Sequence, residues 1–538
     1  MRRITIFHYH LQTGGITQVI RDSIYSLIRQ SKEEMEIRIV SGRQQGTEEF
    51  SAGIREVISS HLKEKEENRQ NPESIEGPRV RVNVEVLESI GYIDAMQDPP
   101  ETEALKAILL QRYGGTIWWI HNYHIGKNPA FTRALIEIAG EHPEQQLIFH
   151  IHDFPESGRF ENLKKIRNQL GTESLYPVYP NLRYIVINGR DRTILQKAGI
   201  PEELLHSLNN PISFHDSGFI DFWQIHDKIN RWAKGESYRW NDGGKLILYP
   251  VRAIRRKNIL EAALITNLLE TPANLLVTLP GTSQQEKQYS DLLSIAYREK
   301  LIPGVWAVGT RLGEFETGFA ELTRSADLIL SSSVQEGFGY LFINSLLWGV
   351  PLVARWLDIL QGVENHFSPG SSHFYREMTI PLIEKDRKIL QESFSDTFKD
   401  LKDTFPDALL KPLKDEIFRM FQKDTIDFSF LSPRLQYEHL RDAVSSDTYR
   451  ESLRELNAPL LAVTDNLLRG GRPRENSGIR TAFGSRAHVS GIFRILNSFS
   501  REPESIPVRK NNETDRKVLG SFIHKDYFRP LYHTGDDD

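Results

Sequence analysis

The chain has 538 residues, 39% hydrophobic and 26% charged, a length and balance that point to two domains with a substantial appendage. A net charge of −5 excludes a general nucleic-acid binder, whose footprint is basic, and the absence of cysteine excludes disulfides, thiolate metal sites and thiol nucleophiles. No run of about 18 apolar residues occurs, so no membrane span is expected; MRRITIFHYH, its short apolar run broken by His8 and His10, reads as a first strand and not a signal peptide, and a cytoplasmic protein is expected.

The first half alternates strands and helices. RITIFHYH predicts a strand, QTGG a turn and ITQVIRDSIYSLIRQ a helix, with EIRIVSG as the second strand. The polar stretch from Gln44 to Pro78 reads as a solvated insertion. VRVNVEVLES, TEALKAILLQRYG, TIWWIHN, PAFTRALIEIAGEH, QLIFHIHD, RYIVIN and RDRTILQKAG then continue the alternation of a doubly wound parallel sheet. Residues 211 to 244 show little periodicity and mark the domain junction. The βα rhythm restarts at KLILYPVR and runs to PLVARW, after which it loosens, and residues 470–538 are polar and rich in Arg, Ser and Asn. The expected organisation is a Rossmann-like domain over 1–212, a second over 213–440, and a partly helical extension over 441–538 that packs back across them, with a cleft between the two facing domains.

The most informative segment is SSSVQEGFGYLFINSLLWGVPLVA, residues 331 to 354. It predicts strand, glycine turn, helix and strand, with Gly349 stopping the helix. Glu336 falls between a strand's carboxyl end and a helix start, where ligands of open parallel sheets collect and free N–H groups favour anions. About eighty residues upstream, KLILYPVRAIRRKNILEAALITNLL is a second strand-turn-helix. It sets Arg252 and Lys257 around its turn with Arg255 and Arg256 between them, a charge cluster placed where a phosphate would be held. No G-x-G-x-x-G follows the first strand and no G-x-x-x-x-G-K-[ST] occurs, which argues against dinucleotide dehydrogenases and phosphate-loop hydrolases. Strand-end histidines are frequent (His8, His10, His121, His124, His150, His152), but without an HExxH pattern or clustered carboxylates no catalytic metal is expected.

Five pieces in order, TGGITQVI (13–20), FHIHDF (149–154), VRAIRRKN (251–258), LPGTSQQEKQYSDLL (279–293) and QEGFGYLFINSLLWGVPLVA (335–354), resemble retaining nucleotide-sugar glycosyltransferases of the GT-B fold, in the family-4 style of sucrose and trehalose synthases and bacterial mannosyltransferases. The resemblance implies that Arg252 and Lys257 hold the donor diphosphate, whose developing charge fixed cations stabilise most in the transition state. It implies that Glu336 accepts hydrogen bonds from sugar hydroxyls, and that the backbone from Gly337 through Phe338 to Gly339, with Gly14 and Gly15, approaches the donor closely. His152 would stand near the anomeric centre, although a strand-end histidine satisfied by a carbonyl fits its position equally. HNYHIGKNP, with His121, His124 and Lys127, is the candidate for the acceptor side together with Asp153; Lys127 would suit an anionic acceptor.

One departure matters. Where the family carries its second acidic residue, which binds ribose hydroxyls, this chain has Asn344, an acceptor without charge assistance. The usual Gly-Gly and Glu after the next strand are replaced by WLDILQGVENHF. The expected activity is transfer of a hexose, with glucose or mannose suggested by the resemblance, from a nucleotide diphosphate sugar to a hydroxyl of a small polar or saccharide acceptor, with retention and with no cofactor or obligatory metal. The alternative is a degenerate member that binds a sugar nucleotide or a partner without transfer.

Overall fold

The computed structural model of the chain describes residues 1–67, 79–96, 100–212, 222–402, 405–473, 477–500 and 508–532. It divides into two compact units, one of residues 1–214 and 480–522 and the other of residues 215–479 and 523–538.

The first unit is built on β1 (Arg2–His8), β2 (Met35–Ser41), β3 (Val80–Val86), β4 (Ile117–His121), β5 (Leu147–Ile151), β6 (Glu173–Val178), β7 (Leu182–Val186) and β8 (Leu205–Ser207). Seven of these form one sheet in the order β3-β2-β1-β4-β5-β7-β8, every neighbour parallel. Strands buried on both faces must be apolar almost throughout, and β5, LIFHI, and β7, LRYIV, are buried at every position. The order reverses between β1 and β4, so the crevice at their carboxyl ends is the ligand position that this topology creates.

The second unit repeats the plan with β9 (Lys245–Arg252), β10 (Ala273–Leu279), β11 (Gly304–Val305), β12 (Leu328–Ser331), β13 (Leu352–Arg355) and β14 (Ser372–Tyr375). Their order is β11-β10-β9-β12-β13-β14, again parallel, with the reversal between β9 and β12. Two Rossmann-like parallel-sheet domains in one chain are the architecture expected from the sequence.

Three expectations need correction. The stretch from Gln44 to Pro78 is not simply a solvated insertion: Thr47–Glu67 is a helix whose Phe50 and Ile54, one turn apart, are buried in the first unit's core, while polar residues cover its other faces; residues 68–78 lie outside the described residues. The junction segment contains the helix Phe222–Gly235, held by Ile225, Ile229 and Ala233 at i, i+4 and i+8. The tail is not a single extension from 441. Residues up to 479 stay with the second unit. The helix Ser485–Ser498 packs on the helix Gly15–Gln30 of the first, and His488 bonds Ser23 Oγ at 2.8 Å and the Asn209 carbonyl at 2.9 Å. The short strand Arg509–Asn511 pairs antiparallel with β6, and Asp515 accepts from Ser174 Oγ at 2.5 Å and the Leu175 amide at 2.9 Å. The last residues return to the second unit, where Arg529 joins Asp427 and Ser429 beside the fully buried Arg355–Glu261 pair.

Candidate active site

In the second unit the two motif turns singled out in the sequence meet. Arg255–Lys257 is a single helical turn after β9, and Asn258 follows in the left-handed region at φ 51°, starting the helix Ile259–Leu268. This turn is bolted to the one after β12. The Ser332 hydroxyl donates to the Asn258 carbonyl at 2.7 Å, the Val334 amide to the Arg256 carbonyl at 2.9 Å, and the Arg256 guanidinium to the Gln335 carbonyl at 2.9 Å. The Tyr249 hydroxyl donates to the Lys257 carbonyl at 2.7 Å from beneath. The two turns therefore form one rigid rim at the carboxyl ends of β9 and β12, at the point where the strand order reverses.

Lys257 and Glu336 form a direct ion pair on this rim, with side chains only 12% and 13% exposed. Burial pulls the Lys257 ammonium below its usual range despite Glu336, while for Glu336 burial works upward and is outweighed by Lys257 and Arg256, which hold the carboxyl ionised. Arg252 is exposed at the end of β9. Gly339 caps the helix Tyr340–Trp348 at φ 79°, and a Cβ there would meet Phe342 at 2.8 Å. Phe338 packs edge-on against Tyr340 with ring centroids 4.8 Å apart. Asn344 is half-buried within that helix, and its side chain makes no hydrogen bond to a described residue.

In the first unit the strand-end histidines converge at the reversal of β1 and β4. His121 Nδ1 and His152 Nε2 are 2.9 Å apart, the rings of His150 and His152 lie 4.0 Å centre to centre, and Trp119 stacks on His121. The His152 amide is held by Asn122 Oδ1 at 2.8 Å. Burial pushes His8, His124 and His152 down to about 3, and His121 and His150 well below the usual range, so the cluster is neutral at physiological pH. One potential ligand atom from each of His121, His150 and His152 falls within 4.8 Å of the others, spacing that a metal ion could use. Neither ring nitrogen of the buried His124 has a hydrogen-bond partner among the described residues. Asp153 pairs with Arg159, and Lys127 lies over the ring of Tyr92 at 5.0 Å.

The loop ahead of the helix Gly15–Gln30 has an unusual feature. Gly14 is extended at φ −177°, which any residue adopts; among the described residues a Cβ on Gly14 would have its nearest neighbour at 3.8 Å, and one on Gly15 would meet nothing within 4 Å. Neither conformation nor packing among the described residues requires glycine at these two positions.

The structure thus brings Lys257 to Glu336, and His121 to His152. Sequence reading missed Arg43, Tyr92, Arg159 and Glu156. Glu156 is a buried carboxyl, pushed up to about 7 by burial, that accepts from the Tyr176 hydroxyl at 2.9 Å. All four follow the ends of predicted strands, Arg43 directly and Tyr92, Glu156 and Arg159 within a few residues, which is a positional signal only; none of them stands in a motif.

Two parallel-sheet units, each with a strand-order reversal, have the two-domain architecture of the GT-B glycosyltransferases. The chain is 30% identical over 546 residues to mannosylglucosyl-3-phosphoglycerate synthase of Petrotoga mobilis, covering 99% of this chain and all of that protein. It belongs to the glycosyltransferase family of that enzyme, which sets aside the binding-only alternative. No family model matches the chain. Among solved structures it is similar to HepE of Anabaena in complex with UDP and glucose, at 12% identity and TM-score 0.45 over 93% of this chain and all of that one. It is also similar to sucrose-phosphate synthase of Thermosynechococcus elongatus, at 13% identity and TM-score 0.40 over 86% of this chain and all of that one. No helix among the described residues is long and apolar enough to cross a membrane.

Proposed function

We propose that this chain transfers a mannosyl group, with retention, from a nucleotide diphosphate sugar to a hydroxyl of glucosyl-3-phosphoglycerate. The carrying observation is the full-length similarity to an enzyme whose name states that product. In this reading Arg252 and Lys257 hold the donor diphosphate and neutralise the charge it gains as the bond from the anomeric carbon to the phosphate oxygen breaks. Glu336 accepts from sugar hydroxyls, the Gly337–Gly339 backbone and the open Gly14–Gly15 turn admit the donor, and Asn344 faces the ribose. The acceptor oxygen bonds the anomeric carbon on the face that the diphosphate leaves, and its proton passes to the departing phosphate oxygen. His152 acts as a neutral hydrogen-bonding group, because an imidazole whose pKa is pushed down to about 3 is a weak base.

No metal is required in this scheme. The test is nucleoside-diphosphate release with UDP-, GDP- and ADP-activated mannose and glucose, each with glucosyl-3-phosphoglycerate, followed by NMR of the product's anomeric proton. Transfer of mannose with an α-linkage from an α-donor is expected, and it should survive dialysis against EDTA. Failure of every donor, or an inverted product, overturns the reading; activity lost to EDTA and restored by a metal ion overturns the metal-free part alone.

A further inference from the structure

We propose that Arg43, Lys127 and Arg159, gathered around Tyr92, form the subsite that binds the phosphate of the acceptor. This inference rests on the acceptor class proposed above and adds the residues that recognise it. The three cations come from three loops that follow β2, β4 and β5, all at the carboxyl edge of the first sheet. Arg43 lies over the Tyr92 ring at 5.1 Å and Lys127 at 5.0 Å. Tyr92 is fixed by His10, whose Nε2 is 3.2 Å from the phenol oxygen, and its loop is anchored by Asn128, which donates to the Ser89 and Gly91 carbonyls at 3.0 and 2.9 Å. The Ile93 amide donates to the Lys127 carbonyl at 3.0 Å, so the ring and the Lys127 backbone are one assembly.

The charge here is out of balance. Arg159 has a carboxylate partner, Asp153, and Asp94 faces the group while pairing with Lys165 at 3.6 Å. Among the described residues no carboxylate lies within ion-pair distance of Arg43 or Lys127. Burial, and then Arg159, pull the Lys127 ammonium below its usual range, and Arg159 adds to the burial that keeps His124 neutral. Half-buried cations that repel one another are costly unless an anion joins them. A phosphate dianion offers enough acceptor oxygens for all three and supplies the counter-charge that Arg43 and Lys127 lack among the described residues. A fixed aromatic floor and rigid loop backbones suit one small anion better than a flexible polymer.

The decisive comparison is between glucosyl-3-phosphoglycerate and its dephosphorylated form, glucosylglycerate, with wild type, Arg43→Gln, Lys127→Gln and the double variant. The phosphorylated acceptor should be preferred by wild type, and each substitution should lower kcat/KM for it by about 10- to 100-fold, through KM, while eroding the preference. Loss of the preference in the double variant, with the fold verified by circular dichroism, supports the subsite. A full preference kept by the double variant, or its absence in wild type, overturns it. A second arm is independent of turnover: calorimetric titration of 3-phosphoglycerate, with inorganic phosphate and glycerate as controls. If wild type transfers nothing to the phosphorylated acceptor, the proposed function fails, yet phosphate-dependent binding abolished in the double variant still upholds the subsite. Equal binding by wild type and the double variant, or none by wild type, overturns it.

Discussion

The Lys257–Glu336 pair offers a sharp test of how the donor rim is built. Glu336→Gln keeps the shape of the side chain and removes its charge, leaving Lys257 nearly buried beside Arg256. Removing one partner of a buried pair costs about 3–5 kcal/mol, and with each side chain about one-eighth exposed the lower figure applies, about 3 kcal/mol. A ceiling follows from titration. If Lys257 instead gives up its proton at pH 7, moving its pKa from its ordinary value down to 7 costs about 4.6 kcal/mol at 1.36 kcal/mol per unit. Urea unfolding followed by tryptophan fluorescence reads the second unit well, since Trp223, Trp232, Trp240, Trp306, Trp348 and Trp356 belong to it and only Trp118 and Trp119 to the first. Glu336→Gln and Lys257→Met should each lose about 3 kcal/mol, and the double variant less than their sum, by about 2 kcal/mol or more, because it buries no lone charge. Donor transfer should be lost in all three. A free nucleoside diphosphate should raise the melting temperature of Glu336→Gln more than that of wild type, since its phosphates replace the missing counter-charge. Single variants within about 0.5 kcal/mol of wild type, or strict additivity, would refute the reasoning.

Three further outcomes follow from the same geometry. Gly15→Ala should leave stability unchanged or raise it by about 0.5 kcal/mol, since a Cβ meets nothing there, yet lower transfer about 10-fold or more if the donor passes close to this turn; retained activity would reduce the glycine to a helix start. Acid should unfold the first unit early. His8, His124 and His152 stay neutral when folded and take up protons when unfolded, so the stability they contribute is present above pH 6.5 and lost below it. Between pH 7 and 5 each costs about 2 kcal/mol, and Glu156, protonating in the folded state near 7, offsets about 2 kcal/mol of the total. These four groups alone give a net loss of about 4 kcal/mol, to which the equally buried His121 and His150 add, so the calorimetric melting temperature should fall by about 10 °C or more, and an unchanged one would contradict the buried neutral cluster. Asn344→Asp should tighten nucleoside-diphosphate binding if this position faces ribose, because charge-assisted bonds are about twice as strong as neutral ones; an unchanged or weaker dissociation constant would end that assignment.

What the sequence by itself determined is what local pattern encodes. Near-continuous apolar runs ending in Gly turns dictated buried parallel strands, since a strand covered on both faces has no polar side to show. Arg252, Lys257 and Glu336 could be placed at strand-to-helix turns because each turn lies within a few residues of sequence. Period-based reading failed where a helix buries a narrow stripe. Thr47–Glu67 hides Phe50 and Ile54 in a polar sequence, and the helix Ser485–Ser498 covers the helix Gly15–Gln30 from a tail that looked only loosely patterned. Tertiary structure alone decided which distant groups meet. Strand order brings His8 beside His121, and Glu336 beside Lys257 across 79 positions of chain; it also sets Arg43 and Lys127 over the ring of Tyr92, with Arg159 near enough for its charge to act on both Tyr92 and Lys127, from separate loops. Those juxtapositions depend on which strands are neighbours in each sheet, and neighbour order is set by the packing of the whole domain.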